Sequence, residues 1–202
     1  FLAIVVIIII SVIIIKKDNE LIGFIDAGHG GIDVGAINGD RYEKDDALKV
    51  AKLVEKYLEE QGIRTIMTRE NDTNVSLKQR CKIANMKKAD VFVSIHRNSA
   101  DTGNGIEIWT STEKNKKDLA LANTILEKLE STEIQQSRGV KSGTEKGLDT
   151  DYYVLKNTKM TSCLIELGFI TDNKDNELFD KNTEDYAKAI ANGIIKEVKG
   201  NN

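Results

Sequence analysis

Proline is missing from all 202 residues of the chain, where average usage of about 5% would place roughly ten. Its absence excludes collagen-like repeats, polyproline ligands and proline-rich linkers. Cysteine is nearly as scarce: Cys81 and Cys163 are too few for a disulfide framework and form no C-x-x-C pair. Both sit in apolar-periodic segments and are expected as buried free thiols. Charge of one sign is lacking too, because 29 Lys+Arg stand against 32 Asp+Glu for a net charge of −3. Without a basic excess there is no support for a nucleic-acid partner. Histidine occurs only twice, and both copies fall in motifs.

Ionisable side chains are absent from Phe1 to Ile15, a run that is apolar except for Ser11. It is shorter than the ~20 residues that cross a bilayer core, but the chain opens on Phe rather than Met, so further residues are expected upstream. A signal-peptide core of roughly 7–15 residues would be followed by small residues at a cleavage site. Here Lys16-Lys17-Asp18-Asn19-Glu20 follows instead. Residues 1–17 are therefore read as a membrane anchor, with a signal segment and a buried strand as the other readings. Lys16-Lys17 lies on the wrong flank for an exported domain under the positive-inside rule, so the unseen upstream stretch is expected to carry more Lys and Arg.

From Leu21 onward, strand and helix patterns alternate. Leu21–Asp26 reads as a strand ending in a glycine loop, and Glu43–Gln61 as a helix with Ala47, Ala51, Val54 and Leu58 on one face. Ile63–Thr68 is the next strand, and Ser76 with Gln79 forms a capping box that opens a helix. Val91–Ile95 and Gly105–Thr110 read as strands, Lys116–Glu130 as a helix, Val140 and Tyr152–Leu155 as short strands, and Cys163–Leu167 as a buried strand. Thr183–Lys199 closes the chain as an amphipathic helix. This alternation predicts one α/β domain, residues 21–199, with a twisted, mostly parallel sheet flanked by helices on both faces.

Functional residues of such sheets gather at the carboxyl ends of the strands. The first strand runs into Asp26-Ala27-Gly28-His29-Gly30-Gly31, the third into Ser94-Ile95-His96-Arg97-Asn98, and the late buried strand carries Glu166. The glycine loop is no nucleotide cradle: G-x-G-x-x-G fails at Asp33, and the P-loop pattern and H-E-x-x-H fail as well. Two histidines at comparable strand ends can share one metal ion, and two His with one carboxylate leave zinc an open position for hydrolysis. Glu43, which starts the helix after the loop, is the carboxylate chosen. Asp26 and Asp33 are read as loop-bracing, and Trp109 as either core or a sugar platform.

These motifs recur in order and spacing with Thr68-Arg69, Ser76-Leu77, Arg80, Ala84-Asn85, Gly105-Ile-Glu107, Arg138-Gly-Val140 and Glu166-Leu-Gly-Phe-Ile-Thr171. The set resembles the zinc-dependent N-acetylmuramoyl-L-alanine amidases of type 3, bacterial wall hydrolases, over residues 21–198. The resemblance implies one zinc ion on His29, Glu43 and His96, Glu166 as the catalytic glutamate, and cleavage of the amide between N-acetylmuramic acid and the L-alanine of the peptidoglycan stem. Ala27 and Thr161 stand where that family usually has proline. Arg97 replaces a small residue after the second zinc histidine and is expected to face the cleft and contact an acidic part of the stem peptide, with Asn98 as a second substrate-binding residue.

A zinc peptidase on another wall peptide would share this chemistry, and a non-catalytic wall-binding module would be expected to have lost a ligand or Glu166. Both rank below the amidase. Peptidoglycan is the expected partner, reached from outside the cytoplasm by a chain anchored to the membrane or secreted to the wall. No second wall-binding domain is evident, so targeting falls to the anchor, the catalytic surface or an activator protein. A short anchored form resembles the sporulation amidases that prepare spore-cortex peptidoglycan.

Overall fold

The computed structural model describes residues 21–113, 116–147 and 150–200. The expected anchor, residues 1–17, lies outside them. The described strands are β1 (Ile22–Ala27), β2 (Ile37–Asn38), β3 (Arg41–Tyr42), β4 (Arg64–Met67), β5 (Val91–Asn98), β6 (Ile106–Thr110), β7 (Ser137–Ser142) and β8 (Thr161–Phe169). The helices are α1 (Glu43–Glu60), α2 (Leu77–Lys87), α3 (Lys116–Glu130), α4 (Tyr153–Asn157) and α5 (Asn173–Gly200). Six strands form one sheet in the order β4-β1-β5-β8-β6-β7. Every pairing in it is parallel except that of β6 with β8. β2 and β3 form a small antiparallel ribbon.

Side chains of a strand alternate between faces, and here the two faces differ in chemistry. Ile25, Val93, Ile95, Ile108, Cys163 and Ile165 point to the side covered by α1, α3 and α5, where most of the core lies. Phe24, Phe92, Trp109 and Leu164 point to the other side, under α2 and α4. Asp26, Ser94, His96, Glu107 and Glu166 alternate onto that second side. The apolar stripe of α1 places Val54 and Leu58, both fully buried, against the sheet. Truncating such a Leu to Ala costs roughly 2–5 kcal/mol.

The capping box appears as expected. Ser76 Oγ accepts the Gln79 backbone N–H at 3.3 Å and Gln79 Oε1 accepts that of Ser76 at 3.1 Å. Such a cap stabilises by about 1 kcal/mol.

Several elements depart from the sequence expectation. Tyr152–Leu155 is not a strand: the segment winds into α4, which buries the adjacent Val154 and Leu155 against α2 and is closed by Thr158 Oγ1 donating to the Val154 carbonyl at 2.8 Å. The last helix starts at Asn173 rather than Thr183, with a break at Asn182 (φ −124°, ψ 20°). There Asn182 Nδ2 donates to Leu178 O and Thr183 Oγ1 to Phe179 O, at 2.8 and 2.7 Å. The expected start at Thr183 thus marks the bend between two helical halves. β5 also runs on to Asn98, which puts His96 inside the strand.

Candidate metal centre

The site is built where β1 and β5 end side by side. Past Ala27 the chain has Gly28, whose N–H donates to the Ile95 carbonyl at 3.0 Å. A Cβ on Gly28 would lie 2.4 Å from His96 Cε1, so the missing side chain is what admits the imidazole. His29 follows with a left-handed φ of 57°, a conformation uncommon outside glycine. Buried arginines hold this loop. Arg80 donates to Ala27 O at 2.7 Å and His29 O at 2.6 Å, and Arg69 to Gly28 O at 2.8 Å. Asp26 anchors Arg80 at 2.7 Å and accepts hydrogen bonds from Thr68 and Ser94. Burial alone would raise the Asp26 pKa, but Arg80 and these hydroxyls outweigh it and hold the carboxyl below its ordinary value. This gives Asp26 the bracing part expected of it.

Glu43 is the first residue of α1 and is buried. Its Oε1 lies 2.8 Å from His96 Nδ1 and 3.1 Å from His29 Nε2, and it accepts the Arg97 backbone N–H at 3.2 Å. Its Oε2 accepts the Ala36 N–H at 2.8 Å. The two imidazoles meet edge to face with centroids 5.0 Å apart. Gly35 lies tight against the group, since a Cβ there would come within 2.6 Å of Glu43 Oε2. Burial works against ionising Glu43, yet the hydrogen bonds from His29 and His96 prevail and hold it well below the carboxylate range. Burial likewise opposes charge on His29, but Glu43 and Asp33 raise its pKa.

These three side chains can each turn one donor atom to a common point, with all three atoms within 4.8 Å of one another. Two imidazole nitrogens and a carboxylate oxygen suit zinc, and the glycines that leave them room fit the same reading. Asp33 Oδ1 holds His29 Nδ1 at 2.8 Å, an orienting bond of the kind that fixes which nitrogen faces a metal.

Glu166 stands beside this cluster. Its strand position pairs with His96 on one side and Glu107 on the other. It is buried, and its Oε2 has no hydrogen-bond partner among the described residues. Burial, followed by the repulsion of Glu43 and Glu107, pushes its pKa well above the ordinary value. A cavity of about 310 Å³ opens over these groups, lined by His29, Glu43, His96, Glu166, Tyr152 and Tyr153.

Arg97 corrects the sequence expectation. The residue after His96 must point to the opposite face of β5, and its guanidinium is 1% exposed. Arg97 bonds Asp46 at 2.6 Å and Asn176 at 2.7 Å and lies over the Phe179 ring at 4.3 Å. Arg97 borders the cavity, but its guanidinium is engaged by these partners on the other face of β5. Asn98 returns to the cleft side, where its Nδ2 donates to Glu107 Oε1 at 2.8 Å. Sequence reading gave Glu107 no role. Its carboxylate also receives Trp109 Nε1 at 3.0 Å, and Arg138 and Lys141 at 2.6 Å each. Glu107, like Glu166, is an acid in an otherwise apolar strand, and that is the signal by which the sequence marks it.

The profile of a family described as N-acetylmuramoyl-L-alanine amidase matches residues 24–196. The germination-specific N-acetylmuramoyl-L-alanine amidase of Bacillus subtilis is 30% identical over 190 residues, covering 87% of this chain and 77% of that protein. Among solved structures, an N-acetylmuramoyl-L-alanine amidase of Clostridium difficile 630 superposes with a TM-score of 0.84 at 32% identity, over 91% of this chain and 100% of that one. The CwlD amidase of Clostridioides difficile, solved in complex with the GerS lipoprotein, gives 0.81 at 30% identity, over 90% and 100%.

Proposed function

The chain belongs to the N-acetylmuramoyl-L-alanine amidase family, enzymes of peptidoglycan amide hydrolysis, and from that membership we propose how its own residues carry the reaction. His29, Glu43 and His96 would hold one zinc ion, and Glu166 would move the proton. The observation that carries this reading is the convergence of the three donor atoms beside a buried, unpartnered carboxyl oxygen. Zinc bound there supplies Lewis acidity that polarises an amide carbonyl and makes nearby water more acidic.

Everything else falls to the chain. Water adds to the carbonyl carbon joining the lactyl group to L-alanine, and Glu166 Oε2 accepts the proton that the water loses. The C–N bond then breaks, and Glu166 returns that proton to the leaving alanine nitrogen, so acid and amine leave in balance. A carboxyl whose pKa is raised by burial is suited to both halves of this transfer. Asp33 fixes the His29 ring, and Asn98 helps to fix Glu107 behind Glu166. Tyr152 and Tyr153 at the rim give the substrate an apolar wall.

Kinship with N-acetylmuramoyl-L-alanine amidases, which act on peptidoglycan, supports action outside the cytoplasm, and the apolar residues 1–15 support attachment to the membrane, as an anchor ahead of the catalytic domain. No described helix is long and apolar enough to cross a membrane. Likeness to a germination-specific amidase supports a role in spore-cortex peptidoglycan, and the CwlD–GerS complex supports an accessory protein as activator. Glu166→Ala separates the proposed roles: zinc stoichiometry stays at one while release of stem peptides from purified wall stops. Near-normal release would remove Glu166 from the mechanism.

A further inference from the structure

The cleft occupies one end of the sheet, and the opposite end presents a different surface. Strands β1, β5 and β8 begin there, at Ile22, Val91 and Thr161. Helices α2 and α4 run down to it from Leu77 and Tyr153 at the cleft, ending at Lys87 and Asn157. The two lower ends are tied together. Asn85 Nδ2 donates to Asn157 O, and Asn85 Oδ1 accepts the Lys159 N–H, each at 2.9 Å.

This union groups Lys87, Lys88, Lys156 and Lys159, all exposed, near Met86, which is 69% exposed. None of these four ammonium groups forms an ion pair with another described residue. Lys88 and Lys159 share a depression with Lys117 and Thr161. The acids at this end are Asp90, whose carboxylate accepts the Ile22 N–H at 2.7 Å, Asp118, whose carboxylate accepts the Ser162 N–H at 2.9 Å, Glu197, and Glu59 and Glu60 at the close of α1. Against them stand Arg64, Lys116, Lys117 and Lys199 besides the four lysines. The balance is basic in a chain whose net charge is −3.

The N-terminal segment joins the body at the same end. Only Asp18, Asn19 and Glu20 separate Lys17 from Leu21, a reach of no more than about 15 Å even when extended. Resting on the membrane attachment proposed above, we propose that this face docks on an anionic lipid surface. Headgroup phosphates meet Lys87, Lys88, Lys156 and Lys159, and Met86 sits among the upper acyl carbons. An exposed apolar side chain amid lysines, beside the apolar leader, favours lipid over a purely anionic polymer. Each lysine held at such a surface contributes about fivefold in partitioning. The docked body turns its cleft away from the membrane, one strand length or roughly 25 Å above the headgroups.

The test uses the full chain, reconstituted in phosphatidylcholine vesicles with or without phosphatidylglycerol, with lysine acetylation rates read by mass spectrometry. Phosphatidylglycerol is expected to slow Lys88 and Lys159 about fivefold, leaving Lys128 and Lys188 unchanged. K88E/K159E should lose the effect at Lys87 and Lys156 while hydrolysing a soluble muramoyl peptide at the normal rate. A chain bound to both vesicle types with equal lysine rates overturns the docking face and spares the attachment. Binding to neither overturns both. Equal protection by soluble glycerol-phosphate polymer, in vesicles lacking phosphatidylglycerol, overturns lipid as the partner.

Discussion

Gly28→Ala adds one methyl group at the point where the site is most crowded. The new Cβ would stand 2.4 Å from His96 Cε1, whereas ordinary contact begins near 3.4 Å, so the imidazole must retreat by about 1 Å. That ring has little freedom, with Nδ1 at 2.8 Å from Glu43 Oε1 and Nε2 at 3.2 Å from Ser94 Oγ. Gly28 has no left-handed φ, so the backbone itself tolerates alanine, and the whole penalty is steric. Overpacking of this kind costs the fold about 1–3 kcal/mol. Displacing one of three metal ligands lowers zinc affinity about 100-fold, or about 2.7 kcal/mol. The assay is calorimetric titration of the chelator-stripped protein with zinc, alongside a urea melt. Gly39→Ala is the control: Gly39 has a φ of 59° but no atom within 4 Å of a new Cβ, so it costs about 1 kcal/mol of backbone strain and leaves zinc affinity alone. A Gly28→Ala protein that binds zinc within about threefold of the wild type would refute the steric argument and with it His96 as a ligand.

Three further outcomes follow from the same geometry. Asp33→Asn frees the His29 ring from its charged partner and should weaken zinc binding roughly tenfold with little loss of fold, as the same titration would show. Glu166→Gln should lower hydrolysis by about 10²–10⁴ and, in the metal-free protein, stabilise the fold at neutral pH. Because burial raises the folded-state pKa of Glu166, its unfavourable effect is absent below the unfolded value near 4.5 and grows as pH climbs toward the folded one. Urea melts at about pH 4 and about pH 8 should therefore coincide at the lower pH and separate at the higher, with the Gln form more stable. Arg97→Met should leave the kinetics on amidated and non-amidated stems alike. It should cost about 2 kcal/mol of stability by denaturant melt, below the ~3–5 of a fully orphaned ion, because Asp46 keeps Arg41 at 2.7 Å.

The His29–Glu43–His96 cluster was legible because it is made from rare residues in constrained places. The two histidines of the chain sit at matched strand ends, one within a glycine run, and the glycines proved to be the space that His96 and Glu43 occupy. The central strands β1, β5, β6 and β8 were legible because each is an apolar-rich run buried along most of its length. Alternation within β5 also held the correction for Arg97, since a residue next to a cleft-facing histidine must point the other way. What remained hidden depended on distant partners or on side-chain bonds that the hydrophobic period does not register. Tyr152–Leu155 carries two adjacent apolar residues that suit a short strand or one helical turn alike, and only packing against α2 decides for the turn. Asn182 bends α5 through side-chain bonds to carbonyls one turn back, which no local period announces. The four donors on Glu107 come from β5, β6 and β7, so their convergence belongs to the sheet order and not to any one segment.

The most direct measurement is the chemistry of the ends that the enzyme releases. Purified peptidoglycan treated with the zinc-loaded protein should gain free L-alanine amino termini in step with unsubstituted muramic acid, with no new reducing sugars and no new termini within the stem. Chelation should abolish the gain and zinc should restore it. New amino termini at any other residue, or none from a protein that carries its zinc, would contradict the assignment of His29, Glu43, His96 and Glu166 to muramoyl-alanine hydrolysis.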